Sequence, residues 1–183
     1  MNEPKALTVP RPRAGHGPDL TRTVVPPTVP FFPLTPSEQQ VAECLLRGLT
    51  PGEISAEVQR SITTTQRRLR FLRYKTLCPT RCPLPVLAHR LLASGKVTAP
   101  DTSIPAPALD AGEVQLLRAL AEESTRSARA CAAGLRLADL APALDALLHK
   151  SGAANTTRLV VLGHSWKLLP TEQDHTRRKG ASR

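Results

Sequence analysis

The stretch SITTTQRRLRFLRYK, residues 61–75, carries the clearest fold signal in the sequence. Residues at i, i+4, i+7 and i+11 have the spacing of one buried helix face, and they are Thr65, Leu69, Leu72 and Thr76. Five cationic side chains and one glutamine lie mainly off this stripe, which predicts an amphipathic helix with a basic exposed face. The basic face of such a helix is exposed only to solvent, lies on a membrane surface or binds nucleic acid.

Composition and charge narrow these alternatives. The 183-residue chain has only 3% aromatic residues and is rich in leucine and alanine, which favours an all-α fold because strands prefer aromatic and β-branched residues. Its net charge of +10 is uneven: residues 34–97 carry +6, whereas residues 98–170 are neutral. A basic excess confined to one segment is typical of a surface that binds a polyanion, although a generic basic surface gives the same charge.

Proline-rich stretches divide the chain. Residues 1–33 contain eight prolines, which predicts a disordered tail, and residues 98–108 have the composition of a linker. The expected domains are therefore 34–97 and 109–170, followed by a basic tail over 171–183. No apolar run reaches the length of a membrane span, and the N-terminus lacks a signal-peptide core. We therefore expect a cytoplasmic protein that does not bind membranes.

Helix boundaries are marked by capping residues within the first of these segments. Thr35 precedes Pro36 and is followed by Glu38, which predicts a capping box at the start of the first helix. Thr50 and Glu53 repeat this arrangement for a second helix. Residues 61–75 form the third, and the stretch PLPVLAHRLLASG predicts a fourth.

The second segment repeats the first without a gap. Twelve positions in the first segment have an identical residue exactly 75 positions later: Leu34, Glu38, Gln40, Leu45, Thr50, Leu69, Leu72, Lys75, Leu84, Val86, Leu87 and His89. Most of them are apolar and have core spacing, so a tandem structural repeat is predicted.

These positions also carry a family resemblance. The matching residues are Leu34, Thr35, Glu38, Val41, Leu45, Gly48, Thr50, Glu53, Ile54, Ser55, Val58, Thr64, Thr65, Leu69, Lys75, Thr80, Arg81 and Leu84. In this register the segment resembles the four-helix helix-turn-helix domain of LuxR-type bacterial transcription regulators. Residues 109–169 resemble a second, degenerate copy, with matches at Lys150, Gly152, Asn155, Leu159 and Val160.

The resemblance implies that the helix around residues 64–76 enters the major groove of double-stranded DNA. The family's base-reading positions correspond to Gln66, Arg67 and Arg70, whose side chains suit adenine and guanine edges. The residues expected to contact phosphates are Thr50, Thr64, Arg68, Arg73 and Lys75. In the second copy Arg67 and Arg70 correspond to Pro142 and Asp145, so that copy is expected to have lost the reading function.

The last helix of the second copy is strongly apolar. The family commonly uses its fourth helix as a dimer contact, and the candidate contact residues here are Leu159, Val160, Leu162 and Trp166. We expect this helix to pair with the first domain, with a second chain as a homodimer, or with a regulatory protein. Alternatively, Trp166 simply completes its own domain core.

The sequence therefore predicts a sequence-specific DNA-binding transcription regulator, located at the bacterial nucleoid when bound. The alternative is a protein-interaction adaptor that binds RNA polymerase or an activator without specific DNA binding. No catalytic constellation, metal site or cofactor motif is evident, so an enzyme is not expected. Cys78 and Cys82, with His89 downstream, have weak zinc spacing, and we expect them to be reduced structural thiols.

Overall fold

The computed structural model describes residues 32–79, 81–100, 102 and 104–171, and these residues form helices with no strand among them. The helices are α1 (Pro36–Leu46), α2 (Pro51–Glu57), α3 (Ile62–Lys75), α4 (Leu84–Ala93), α5 (Ala111–Glu122), α6 (Arg126–Ala132), α7 (Leu140–Ser151) and α8 (Thr156–Ser165). The all-α prediction is confirmed. The expectations for the two tails lie outside the described residues, except at Phe32, Pro33 and Thr171.

The predicted capping boxes are present. At α1 the backbone N–H of Thr35 donates to Oε2 of Glu38 at 2.7 Å, and the Glu38 N–H donates back to the threonine hydroxyl. At α2 the N–H of Thr50 donates to Oε2 of Glu53, also at 2.7 Å. These bonds satisfy amides that have no partner within the helix, which fixes where each helix begins.

Helices α1 to α4 enclose the first hydrophobic cluster. The stripe predicted for α3 is buried, from Thr65 and Leu69 to Leu72 and Thr76. Ile54 of α2 is fully buried in the same cluster. Helix α3 packs against α1 and α2, so α2 and α3 form a helix-turn-helix pair supported by α1.

Helices α5 to α8 enclose a second cluster and repeat several contacts of the first half. Lys150 of α7 is paired with Glu113 of α5, as Lys75 of α3 is paired with Glu38 of α1. Apart from this ion pair, α7 packs mainly against α8. In α6, the equivalent of α2, the position of the buried Ile54 is taken by Arg129, whose Nε donates to a backbone carbonyl. Helix α6 therefore lacks the apolar contact by which Ile54 packs α2 into the first cluster.

Helix α7 also begins differently from α3. It starts at Leu140, because residues 137–139 form a turn instead of a first helical turn. Asp139 occupies the N-cap position, but its carboxylate makes no capping bond. It accepts instead from Arg136, with Nε to Oδ2 at 2.7 Å.

The two halves pack against each other in one compact unit. Helix α4 packs against α5 and α8, and α8 also contacts α1. Val161 of α8 is fully buried and belongs to the first cluster, not the second. Residues 98–100, 102 and 104–110 connect the halves without regular structure, as expected of the segment named as a linker.

The cysteines differ from the expectation of free thiols. The structure pairs Cys78 with Cys82 as a disulfide in the segment that joins α3 to α4. Cys44 is free and buried, and Cys131 is free and exposed. Within the described ranges, no three His, Cys, Asp or Glu side chains are grouped closely enough to hold a metal ion, and no helix is long and apolar enough to cross a bilayer.

Candidate nucleic-acid interface

Three side chains predicted to contact bases lie together on the outer face of α3. Gln66, Arg67 and Arg70 are all exposed, and the buried stripe of the helix faces the other way. None of the three has a hydrogen-bond or ion-pair partner among the described residues. Their donors are therefore available to a ligand, which is the requirement for direct contact with base edges.

Arg68 extends this basic face. It is half-buried, and among the described residues it too has no ion-pair partner. Helix α3 contains no acidic residue at all. Arg60, in the turn just before the helix, is a further exposed and unpaired cation within the described ranges, and it is not among the contact residues predicted from the sequence. In the sequence, Arg60 contributes only to the net charge of +6 over residues 34–97.

Two residues expected at phosphates are occupied inside the protein. Arg73 is half-buried, and its Nε donates to the backbone carbonyl of Cys82 at 3.1 Å. Burial also lowers the pKa of Arg73. Lys75 donates through Nζ to Oε2 of Glu38 at 2.7 Å and to the carbonyl of Pro33 at 2.8 Å. Both side chains hold the C-terminal end of α3 against the rest of the domain, so they are engaged within the protein and not free for the phosphate contacts expected of them.

The two threonines expected at phosphates take part in helix capping. The hydroxyl of Thr50 donates to Glu53 at 2.8 Å, so a carboxylate lies beside it. The hydroxyl of Thr64 lies 2.9 Å from the hydroxyl of Ser61, the N-cap of α3. The hydroxyl proton of Thr50 is thus taken up by Glu53, whereas either hydroxyl can be the donor between Ser61 and Thr64. Of the five residues expected at phosphates, Arg68 has no hydrogen-bond or ion-pair partner among the described residues.

Aromatic side chains continue the exposed face toward the C-terminal end of α3. Phe71 is 48% exposed and Tyr74 is 66% exposed. The ring of Phe32 lies 6.0 Å from the ring of Tyr74, so the residues just before α1 lie against this end of the helix. The face is therefore cationic near the start of α3 and aromatic near its end.

Helix α7 presents a different surface. Pro142 and Asp145, the equivalents of Arg67 and Arg70, are exposed. Lys150 is the one Lys or Arg in α7, and it is paired with Glu113. This helix offers a phosphate backbone no free arginine or lysine, as expected from the sequence.

The assembly residues predicted on α8 are not available to another chain. Leu159, Val160 and Leu162 are fully buried in the second cluster. Of the expected alternatives, the burial of these three side chains fits packing of α8 within its own chain. Trp166 is half-buried, packs against the same cluster, and donates from Nε1 to the carbonyl of Ile104 at 3.0 Å.

The contact that α8 does make is with α4, and it joins equivalent residues of the two halves. Nδ1 of His89 lies 2.9 Å from Nε2 of His164, and the two residues are 75 positions apart. The repeat places these two histidines at equivalent positions, and the structure brings them into contact. Burial, together with the charges of His164 and Arg90, lowers the pKa of His89 to about 4. Burial likewise lowers the pKa of His164 to about 4.

The N-terminal end of α8 supports the turn that precedes α2. Asn155 donates through Nδ2 to the carbonyl of Gly48 at 2.7 Å, and Arg158 donates through Nη1 to the carbonyl of Leu46 at 3.3 Å. Gly48 has φ = +89°, and a Cβ added to it would lie 3.0 Å from Cβ of Arg158. The second half therefore fixes the end of α1 and, through it, the start of the helix-turn-helix pair.

No known family model matches this chain, and no curated protein or solved structure matches it either. The LuxR-type resemblance thus depends on the residues and spacings quoted above.

Proposed function

We propose that this protein is a sequence-specific DNA-binding regulator of transcription that places the outer face of α3 in the major groove. The observation that carries the proposal is the set of unpaired side chains on this face, Gln66, Arg67 and Arg70, on a helix with no acidic residue. The role is one of binding and not of catalysis. As a bacterial regulator, the protein would act in the cytoplasm, at the nucleoid when bound.

The distribution of cations supports this proposal over a solvated basic face. Arginines on a surface kept only for solubility need no particular arrangement, and many pair with nearby carboxylates. Here the two cations at the C-terminal end of α3 are used for packing, whereas Arg67, Arg68 and Arg70 are left without partners among the described residues. Arginine donates two hydrogen bonds to guanine, and glutamine pairs with adenine, so the free residue types suit base edges.

A second candidate function, the protein-interaction adaptor, is favoured by the aromatic end of the same face. Phe71 and Tyr74 are large and exposed, and protein interfaces are enriched in aromatic side chains. An adaptor would bind RNA polymerase or an activator through these rings and have no preference among duplex sequences. A DNA-binding helix would place the same rings near the sugar-phosphate backbone.

Duplex binding across a salt series tests the proposed function. The probe is a fluorescent pool of random duplexes of about 30 bp, roughly three helical turns. If α3 and its neighbours neutralise about three phosphates, affinity falls about 40-fold between about 50 and about 200 mM salt. Arg67→Ala and Arg70→Ala each remove up to two hydrogen bonds to a base, which weakens binding to a preferred duplex by about 1–3 kcal/mol.

The matched control is Arg118→Ala, which removes an exposed cation from α5. We expect it to weaken binding only slightly, because the total charge changes equally but the α3 face does not. Equal losses in all three variants would indicate nonspecific attraction and contradict base reading. Absence of duplex binding at the lowest salt, together with loss of a protein partner in Phe71→Ala, would support the adaptor instead.

A further inference from the structure

The second half of the chain packs against the first through equivalent helices of the two halves. Helix α4 packs against α8, and the equivalent residues His89 and His164 meet across this contact. The reciprocal contacts also recur, since α4 packs against α5 while α8 contacts α1. The two halves therefore form a pair related by an approximate twofold exchange of equivalent helices.

This internal pairing leaves α4 no free apolar face. Seven of its residues are buried, and they are Pro85, Val86, Leu87, Ala88, His89, Leu91 and Leu92. Arg90 is the one exposed residue of this helix. A second chain could reach α4 only by displacing α8, which would expose Val161 and break the bonds of Asn155 and Arg158 to the end of α1.

The two helices that would face DNA in such a pair are unequal. On α3 the reading positions hold exposed arginines without partners among the described residues. On α7 the equivalent positions hold Pro142 and Asp145, and the helix packs mainly against α8 instead of forming a helix-turn-helix pair with α6. Asp145 is exposed, and its negative charge opposes a phosphate backbone.

We propose that one chain binds DNA alone, through α3 only, and that its target is an asymmetric site of about one helical turn, ~10 bp. The inference depends on the proposed function and specifies its substrate. A dimer with two equivalent reading helices selects a palindrome, because the symmetry of the protein is matched by two half-sites. Because only one of the two halves has a reading helix, a second half-site in the DNA would not increase the affinity. The second half acts as a built-in support that holds α1 and α2 in place.

Selection from the random duplex pool, followed by measurement of the mass of the complex, tests this inference. The full chain is expected to enrich one asymmetric sequence and to bind it with one chain per duplex. Arg70→Ala should weaken binding to the selected duplex by about 5- to 150-fold. Asp145→Ala, the substitution at the equivalent position of α7, should leave binding unchanged or tighten it slightly.

The outcomes separate this inference from the proposed function. A palindrome or direct repeat bound by two chains would overturn the single-helix inference and leave DNA binding intact. A loss of affinity in Asp145→Ala comparable with that in Arg70→Ala would overturn it as well, since α7 would then contribute to the site. If no duplex is enriched and none is bound, the proposed function itself fails.

Discussion

The histidine pair between α4 and α8 makes the stability of the protein depend on pH. His89 and His164 each have a pKa of about 4 in the folded protein, against an ordinary value of 6.5, chiefly because both rings are buried. As the pH falls, the unfolded chain takes up protons first, so folding is destabilised through the window from 6.5 to about 4. From about pH 7.5 upward both rings are almost entirely neutral in both states, and the pair adds almost no pH dependence.

The size of the effect follows from the two pKa values. Between pH 6.5 and about 5, protonation of each histidine in the unfolded chain lowers the free energy of unfolding by about 1.4 kcal/mol per pH unit. Over this interval of about 1.5 pH units, each histidine therefore lowers it by about 2 kcal/mol. The rings share one hydrogen bond of 2.9 Å, so their protonations are coupled. We therefore expect the free energy of unfolding to fall by about 2–4 kcal/mol between about pH 7.5 and about pH 5.

Urea unfolding followed by circular dichroism at these two pH values measures the loss. In the double variant His89→Asn and His164→Gln, the side-chain amides replace Nδ1 and Nε2 and retain a hydrogen bond without titrating. The free energy of unfolding of this variant should fall by less than about 1 kcal/mol over the same pH interval. His149→Gln, which removes an exposed histidine, serves as the control and should behave like the wild type. Equal losses in the wild type and the double variant would refute the reasoning.

Two further predictions concern stability at neutral pH, each measured by urea unfolding against a matched control. Gly48→Ala should destabilise the protein by about 2–3 kcal/mol, because φ = +89° is strained for alanine and the added Cβ meets α8. Gly152→Ala, at φ = +63° with open space around it, should cost only about 1–2 kcal/mol, and equal costs would argue against the α8 contact. Lys75→Ala should cost about 2–3 kcal/mol, because it leaves the carboxylate of Glu38, 8% exposed, without its cation. Lys150→Ala breaks the equivalent but more exposed pair and should cost less than about 1 kcal/mol; the reverse order would contradict this account.

Glu38 adds a second, more acidic dependence on pH. Burial raises its pKa, but hydrogen bonds from Lys75 and Thr35 outweigh burial and leave the pKa below its usual value of 4.5. The stability that comes from this carboxylate is therefore present above pH 4.5 and is lost as the pH falls further. It does not interfere with the histidine measurement, which ends at about pH 5.

Local sequence signals predicted the parts of this fold that depend on neighbouring residues. The capping boxes at Thr35 and Thr50 need only a residue three positions away, and both formed. The buried stripe of α3 needs only helical spacing, and from Thr65 to Thr76 it faces the core. Such features depend on contacts within one or two helical turns, which a sequence displays directly.

The features that were missed depend on residues that are distant in the chain. Lys75 carries the right charge for a phosphate, but its partner Glu38 lies 37 positions earlier. Arg73 is fixed by a backbone carbonyl nine positions later, which no side-chain pattern reveals. The meeting of His89 with His164 was hidden in the repeat, because an offset of 75 identifies equivalent positions without saying that they touch.

The most direct test of the central claim is to map the contact surface by NMR, titrating the labelled protein with a duplex selected from the random pool. We expect the largest amide shift changes in α3 and the turn before it, from Arg60 to Phe71, with small changes in α7 from Leu140 to Ser151. Arg67→Ala and Arg70→Ala should require more duplex for the same changes. Shift changes concentrated in α7, or a saturated complex in which α3 is unaffected, would contradict the account.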